Sequence, residues 1–174
     1  EDQFKDIHKA FLDHQVLFFQ NQNEILPEIH LKLGKLFGEL HVHPAAPSMP
    51  GYPEIFEIHA HKNSKVANGE FWHSDVSCDI EPPLGTMLQL HILPETGGDT
   101  MFSDMYSAYN ELSDKYKCLL DGLIAIHESE HLYSGRYEDR GVNRDNIKTP
   151  VANHPLIRTH PITGKKAIYV NRTF

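Results

Sequence analysis

The sequence has few of the residues that mark several large classes of protein. Its 174 residues include only two cysteines, Cys78 and Cys118, which is too few for the disulfide framework of a small secreted domain. Apolar runs are short, and none approaches the roughly 20 residues that a membrane-spanning helix needs. No basic segment followed by an apolar one opens the chain, as a secretory signal peptide would. We therefore expect reduced thiols, a cytoplasmic location and no membrane association.

Basic residues are also in the minority. Lysine and arginine together number 16 against 24 acidic residues, which gives a formal net charge of -8. A net negative charge disfavours nucleic acid and anionic membranes as partners. The length suits one domain with a sizeable core, so we expect a single domain over residues 1–174.

Hydrophobic periodicity predicts where helices and strands lie. An apolar stripe of Phe4, Ile7, Phe11 and Leu12 predicts a first helix, and Asn23 is the expected N-cap of a second. Residues 105–121 are predicted to be helical in two pieces, with Ser113 as the N-cap of the second piece. Strands are predicted at residues 16–19, 55–59, 86–93, 100–103 and 123–127, followed by a closing hairpin over residues 155–170.

A histidine and an aspartate two residues apart form the first candidate site. On an extended backbone the side chains of His73 and Asp75 project to the same face. An imidazole nitrogen beside a carboxylate oxygen offers two adjacent ligands for a divalent metal, as in non-heme Fe(II) oxygenases. A lone pair of this kind also arises by chance, so its context decides. The pairs His41/His43 and His59/His61 are better interpreted as ordinary surface histidines, because no third ligand follows at a recognisable spacing.

Ordered blocks of sequence surround this pair. They lie at residues 37–44, 71–77, 81–83, 93–100, 107–109, 119–123, 127 and 154–165. Together they resemble the taurine dioxygenase family of Fe(II)- and 2-oxoglutarate-dependent oxygenases. The resemblance implies a mainly β double-stranded β-helix, or jelly-roll, with flanking helices. It also implies that residues 128–151 form a lid.

The same resemblance implies a role for individual residues. His73 and Asp75 are expected to hold Fe(II), and the Thr100 hydroxyl to bind the distal carboxylate of 2-oxoglutarate. His43 is similar to a histidine that contacts the anionic group of the substrate. The other positions expected to face the substrate are Gly69, Leu132, Tyr133 and Phe174.

The implied reaction is hydroxylation of a small organic anion by O2 at the carbon next to the heteroatom, with release of succinate and CO2. A sulfonate or a sulfate ester is the expected substrate. Ala46 and Gly69 stand where taurine-specific members carry tyrosine and asparagine. Both changes remove a polar group and volume, so we expect a larger or more apolar anion than taurine.

The chain departs from the family pattern in one respect. The motif that supplies the second histidine ligand and the arginine for 2-oxoglutarate does not occur, and neither His154 nor His160 matches a ligand position. We therefore expect an incomplete jelly-roll, truncated at both ends. Two alternatives stay open: a cupin-like Zn or Mn protein that uses the paired histidines, and a non-catalytic fragment. Self-association into a homo-oligomer is compatible with the sequence.

Overall fold

The computed structural model of the protein describes residues 2–64, 69–143, 145 and 147–174. They group into two compact units. The first unit contains Glu1–His41 and Met87–Asp99, and the second contains Val42–Thr86 and Thr100–Phe174. Within the described residues, no helix has both the length and the apolar character needed to cross a membrane.

Two helices form the regular part of the first unit. Helix α1 spans Asp2–His14, as its apolar stripe predicts, and the rings of Phe4 and Phe11 meet Phe37 edge-on at 5.0 and 6.1 Å. Helix α2 spans Pro27–Gly34, so the prediction that Asn23 caps it is wrong. Proline suits the first turn of a helix and holds the preceding residue in an extended conformation, which moves the helix start to Pro27.

Three segments that were predicted as strands pair with no neighbouring strand in the described part of the chain. They are residues 16–19, 86–93 and 100–103, and the prediction is wrong for each of them. The alternating side chains of Leu88, Leu90 and Ile92 are all mostly exposed. Alternation provides the apolar face of a strand, but a strand also needs a neighbour that takes up its backbone N–H and C=O groups.

The second unit contains the strands of the described residues, in three antiparallel two-stranded sheets. No closed barrel is present in this part of the chain, and the sheets are shorter than a jelly-roll requires. The pairs are β1 (Ser48–Met49) with β2 (Tyr52–Phe56), β3 (Ile124–Glu128) with β4 (Val151–Pro155), and β5 (Ile157–Thr159) with β6 (Lys166–Ile168).

Short helices accompany these sheets in the second unit. Helices α3 (Met105–Asn110) and α4 (Asp114–Leu120) confirm the two-piece helical prediction. Asp104 caps α3 by accepting from the backbone N–H of Tyr106 at 2.9 Å, and the Ser113 hydroxyl caps α4 as expected. Such caps satisfy backbone donors that the helix itself leaves unpaired.

The segment expected to form a lid has structure of its own. It contains helix α5 (Glu130–Tyr133) and a 3-10 turn at Glu138–Arg140 and leads into β4, while residues 144 and 146 lie outside the described residues. The side chains of Tyr133 and Tyr137 are only 2% and 6% exposed. They anchor the segment in the core of the second unit, where they pack with Ala45, Val76 and Cys78.

The β3–β4 sheet has one buried and one exposed face. Its inward residues are Ala125, His127, Ala152 and His154. Its opposite face carries the exposed apolar side chains Ile124, Ile126 and Val151, which we call the outer face of the β3–β4 sheet. The alternation follows from the two-residue period of a strand.

Candidate active site

His73 and Asp75 meet although the backbone between them is not the regular strand that was predicted. Residues 75–78 form a turn, and the neighbouring Trp72 is 58% exposed. The Nε2 atom of His73 still lies 3.2 Å from the Oδ1 atom of Asp75. The pair is therefore a local product of a turn rather than of a strand.

The hydrogen bonds of His73 determine which ring nitrogen carries a hydrogen. Its Nδ1 lies 2.7 Å from the backbone carbonyl oxygen of Phe71, and a carbonyl can only accept, so Nδ1 is the donor. The lone pair of Nε2 would then face the ionised carboxylate of Asp75, unless a cation lies between them. A proton can take that place, and the hydrogen bond to Asp75 accordingly raises the pKa of His73. A divalent metal can take it equally well.

Asp75 is held on its other side by a residue that the sequence analysis missed. The hydroxyl of Thr86 donates to Asp75 Oδ2 at 2.6 Å. The hydrogen bonds from His73 and then Thr86 lower the pKa of Asp75, burial opposes them, and the nearby His43 ring contributes in the same direction as the hydrogen bonds. Nothing in the sequence indicates Thr86, because a threonine 11 residues downstream belongs to no motif.

The pair fits two neighbouring ligand positions of an iron site. Adjacent ligands of an octahedral ion lie about 3 Å apart when each bond is about 2.1 Å long, close to the spacing of Nε2 and Oδ1. Metal-bound histidines usually donate their other ring N–H to a carbonyl or carboxylate, as His73 does to Phe71.

A third protein ligand is not assembled in the described part of the chain, where no group of three His, Cys, Asp or Glu side chains could hold a metal. His154 uses Nε2 to bond the backbone oxygen of Asp79 at 2.9 Å. The Nδ1 atom of His160 accepts from backbone N–H groups of the β5–β6 turn. The exposed rings of His59 and His61 contact each other at 5.6 Å, and no third ligand joins them among the described residues.

The hydrogen bonds of His43 indicate which of its ring nitrogens carries the hydrogen. Its Nδ1 accepts from the backbone N–H groups of Ala45 at 3.1 Å and Ala46 at 2.8 Å, so the ring hydrogen belongs on Nε2. The ring packs against Phe56 and Tyr133 with centroid distances of 5.5 and 5.2 Å. An N–H donor in aromatic surroundings, close to Asp75, suits an anionic group bound beside the metal pair.

The structure brings several of the other predicted site residues to the same region. Gly69 has a φ of +82°, and a Cβ atom there would lie 3.9 Å from Cε1 of His73. Phe174 packs against the Tyr133 ring at 5.9 Å, and its neighbour Thr173 donates to the backbone oxygen of Trp72 at 3.1 Å. Both positions therefore lie close to the metal pair.

The other three predicted site residues, Tyr133, Leu132 and Thr100, have different surroundings. Tyr133 is almost fully buried, and its hydroxyl faces the Cys78 thiol at 3.9 Å. Burial raises the pKa of this hydroxyl. The Tyr133 ring packs against the His43 ring and so supports it. Leu132 is partly buried against the same core. Thr100 is exposed, and no hydrogen bond among the described residues joins it to His73 or Asp75.

Comparison with known proteins identifies the family of the chain. The sequence profile described as "Taurine catabolism dioxygenase TauD, TfdA family" matches residues 1–174. The chain belongs to the TauD/TfdA family. Among its relatives, a protein named alkylsulfatase from Acinetobacter baylyi is 33% identical, over 97% of this chain and 54% of its own length.

Two further relatives extend the comparison. An alpha-ketoglutarate-dependent sulfate ester dioxygenase from Pseudomonas putida is 29% identical, over 93% of this chain and 55% of its own length. The crystal structure of a taurine dioxygenase from Burkholderia xenovorans is 28% identical and superposes with a TM-score of 0.71, covering 99% of this chain and 55% of that one. The chain thus spans about half the length of these TauD/TfdA relatives.

Proposed function

We propose that the protein is an Fe(II)- and 2-oxoglutarate-dependent dioxygenase that hydroxylates a small organic anion. The observation that carries the proposal is the His73–Asp75 contact, where an imidazole lone pair and a carboxylate converge on a place that requires a cation. Membership of the TauD/TfdA family supports Fe(II) as that cation. Such a centre supplies O2 activation at the expense of 2-oxoglutarate when both are bound.

Each residue of the site has a role in this proposal. His73 and Asp75 hold the metal, and the negative charge of Asp75 lowers the net charge of the centre. The Phe71 carbonyl and the Thr86 hydroxyl orient the two ligands. Thr100 is proposed to bind the distal carboxylate of 2-oxoglutarate, as the family resemblance implies.

The proposed substrate is an alkyl sulfate or a longer alkyl sulfonate. His43 would donate its Nε2–H to the anionic group, held in that tautomer by the N–H groups of Ala45 and Ala46. The nearby rings, and the small side chains at Ala46 and Gly69, favour an apolar chain over a zwitterion. The relatives named alkylsulfatase and sulfate ester dioxygenase agree with this choice.

We also propose the jelly-roll architecture for this domain, on the strength of the likeness to the solved taurine dioxygenase. Residues 128–151 are proposed to border the substrate site, because Tyr133 packs directly against His43. Leu132 and Phe174 would line the same border. The single domain, the cytoplasmic location and the homo-oligomer stay predictions.

The test is succinate release by the full-length protein supplied with Fe(II), 2-oxoglutarate and O2. Taurine, longer alkyl sulfonates, alkyl sulfates and aryloxyacetates would be compared by kcat/KM. We expect alkyl sulfates or longer sulfonates to rank first, and His73→Ala to abolish turnover while the matched variant His160→Ala retains it. No substrate-dependent succinate release, or full activity in His73→Ala, would disprove the proposal, and a first rank for taurine would refute the substrate class alone.

A further inference from the structure

The turn that carries Asp75 contains a strained residue. Val76 has a φ of +48°, a left-handed conformation that β-branched residues rarely adopt. Such a conformation persists only where the surroundings impose it. Val76 is 6% exposed and Cys78 is fully buried, so the turn is embedded in the core of the second unit.

Ser77, at the centre of the turn, is fully buried and has two polar partners. The amide of Asn171 donates to its hydroxyl oxygen at 3.1 Å. The Asn171 side chain can point only this way, because its Oδ1 accepts from the backbone N–H groups of Thr173 and Phe174. Nδ1 of His127 lies 2.8 Å from this hydroxyl. We assign the hydroxyl as the donor, because its hydrogen has no other acceptor among the described residues.

His127 reaches the turn from β3 and is 1% exposed. Its ring is stacked on Tyr169 at 5.4 Å and meets the His154 ring at 5.3 Å. The Nε2 atom is buried, and no hydrogen-bond partner for it occurs among the described residues. Burial lowers the pKa of His127, the electrostatic influence of the His154 ring acts in the same direction, and the Tyr169 main chain opposes both only in part. A neutral ring with its hydrogen on Nε2 therefore completes the chain of donors from Asn171 through Ser77.

The far end of the turn is tied down in the same way. His154, on the neighbouring strand β4, bonds the backbone oxygen of Asp79 at 2.9 Å, and the N–H of Asp79 donates to Val76 at 3.0 Å. None of these side chains is placed to touch the metal. They act on the backbone that begins at Asp75.

We propose that Ser77, His127 and Asn171 form a positioning network that holds the turn after Asp75 and so directs the Asp75 carboxylate at His73. The proposal rests on the proposed function, since it assigns these residues to the metal centre. Filling of the core is the competing explanation. It predicts a loss of stability without any change in the metal affinity of the folded protein, whereas a positioning network predicts a loss of affinity.

The experiment measures Co(II) binding to the metal-free full-length protein by calorimetry, with the folded fraction of each sample taken from circular dichroism. Ser77→Ala and His127→Leu should weaken Co(II) binding on the order of tenfold, as loss of outer partners of a metal ligand does elsewhere. His127→Asn, which can place an acceptor near the former Nδ1 position, should restore part of the affinity. The matched control His160→Asn, at a turn remote from the network in sequence, should bind as the wild type does.

Unchanged Co(II) affinity in folded Ser77→Ala and His127→Leu would overturn the positioning network and leave the proposed function intact. A wild-type protein that binds no Co(II) would overturn the proposed function, and the network with it. If either variant fails to fold, Asn171→Asp keeps the oxygen that accepts from Thr173 and Phe174 but removes the donor to Ser77, and it should again weaken binding. Independently, 15N NMR of the wild type should find His127 neutral with its hydrogen on Nε2, and a hydrogen on Nδ1 would contradict the network.

Discussion

Replacement of Thr86 by valine tests how the metal pair is oriented. The Thr86 hydroxyl donates to Asp75 Oδ2 at 2.6 Å, and Oδ1 is thereby left facing His73. Valine keeps the branched shape but not the donor, and Thr86 is exposed, so the fold should be little affected. A hydrogen bond to a charged group contributes about 1.5–3 kcal/mol. The lower end applies, because half of the Asp75 side chain is exposed, and this corresponds to about a tenfold weaker Kd.

The assay compares Co(II) affinities of the wild type, Thr86→Val and Thr86→Ser, the last of which retains the hydroxyl. We expect the serine variant to bind like the wild type and the valine variant about tenfold more weakly. In the metal-free protein, the hydrogen bonds from His73 and then from Thr86 lower the pKa of Asp75, so Thr86→Val should raise that pKa in an NMR titration. Equal affinities for all three proteins, or an unchanged Asp75 titration, would refute the reasoning.

Three further predictions concern His127, the pocket and the core. Burial lowers the pKa of His127, so in acid the unfolded chain binds more protons than the folded protein does. The free energy of unfolding should therefore fall as the pH falls from about 7 to 5, and urea titrations should show a smaller fall for His127→Asn. The double variant Ala46→Tyr/Gly69→Asn should raise kcat/KM for taurine relative to a long alkyl sulfate, because it returns polar groups to the pocket. Asparagine tolerates the φ of +82° at position 69. An unchanged ratio of the two kcat/KM values would contradict the substrate argument. Tyr133→Ala should destabilise the protein by about 3–5 kcal/mol and raise the substrate KM through loss of support for His43, whereas Tyr133→Phe should do neither.

The sequence could predict the pair of His73 and Asp75, because the two residues are close in sequence. It could not predict the distant residues that hold this pair in place. His73 and Asp75 are two residues apart, and the proximity of their side chains survives a change from strand to turn. Thr86 and His127 reach the same turn from 11 and 50 residues beyond Asp75 and Ser77 respectively. Which distant residue packs there depends on the tertiary fold, so no motif predicts it.

Secondary structure follows the same division between local and distant causes. The helix of Asp2–His14 and the N-cap Ser113 depend on neighbouring residues and were predicted. The prediction for α2 was wrong although its cause is also local, because Pro27 suits the first turn of a helix and holds Leu26 in an extended conformation. Residues 86–93 have the apolar alternation of a strand, yet a strand depends on a partner elsewhere in the chain.

The outer face of the β3–β4 sheet affects how all of these measurements behave in solution. Ile124, Ile126 and Val151 are each more than half exposed on one side of a two-stranded sheet. Any molecule or segment that covers them removes apolar surface from water, at about 25 cal/mol for each Å² buried. A second copy that covered this face only in the folded state would shift the folding equilibrium by mass action and make the apparent stability depend on protein concentration. Midpoints and dissociation constants for different variants should therefore be compared at one concentration, and a dilution series would test whether this face associates.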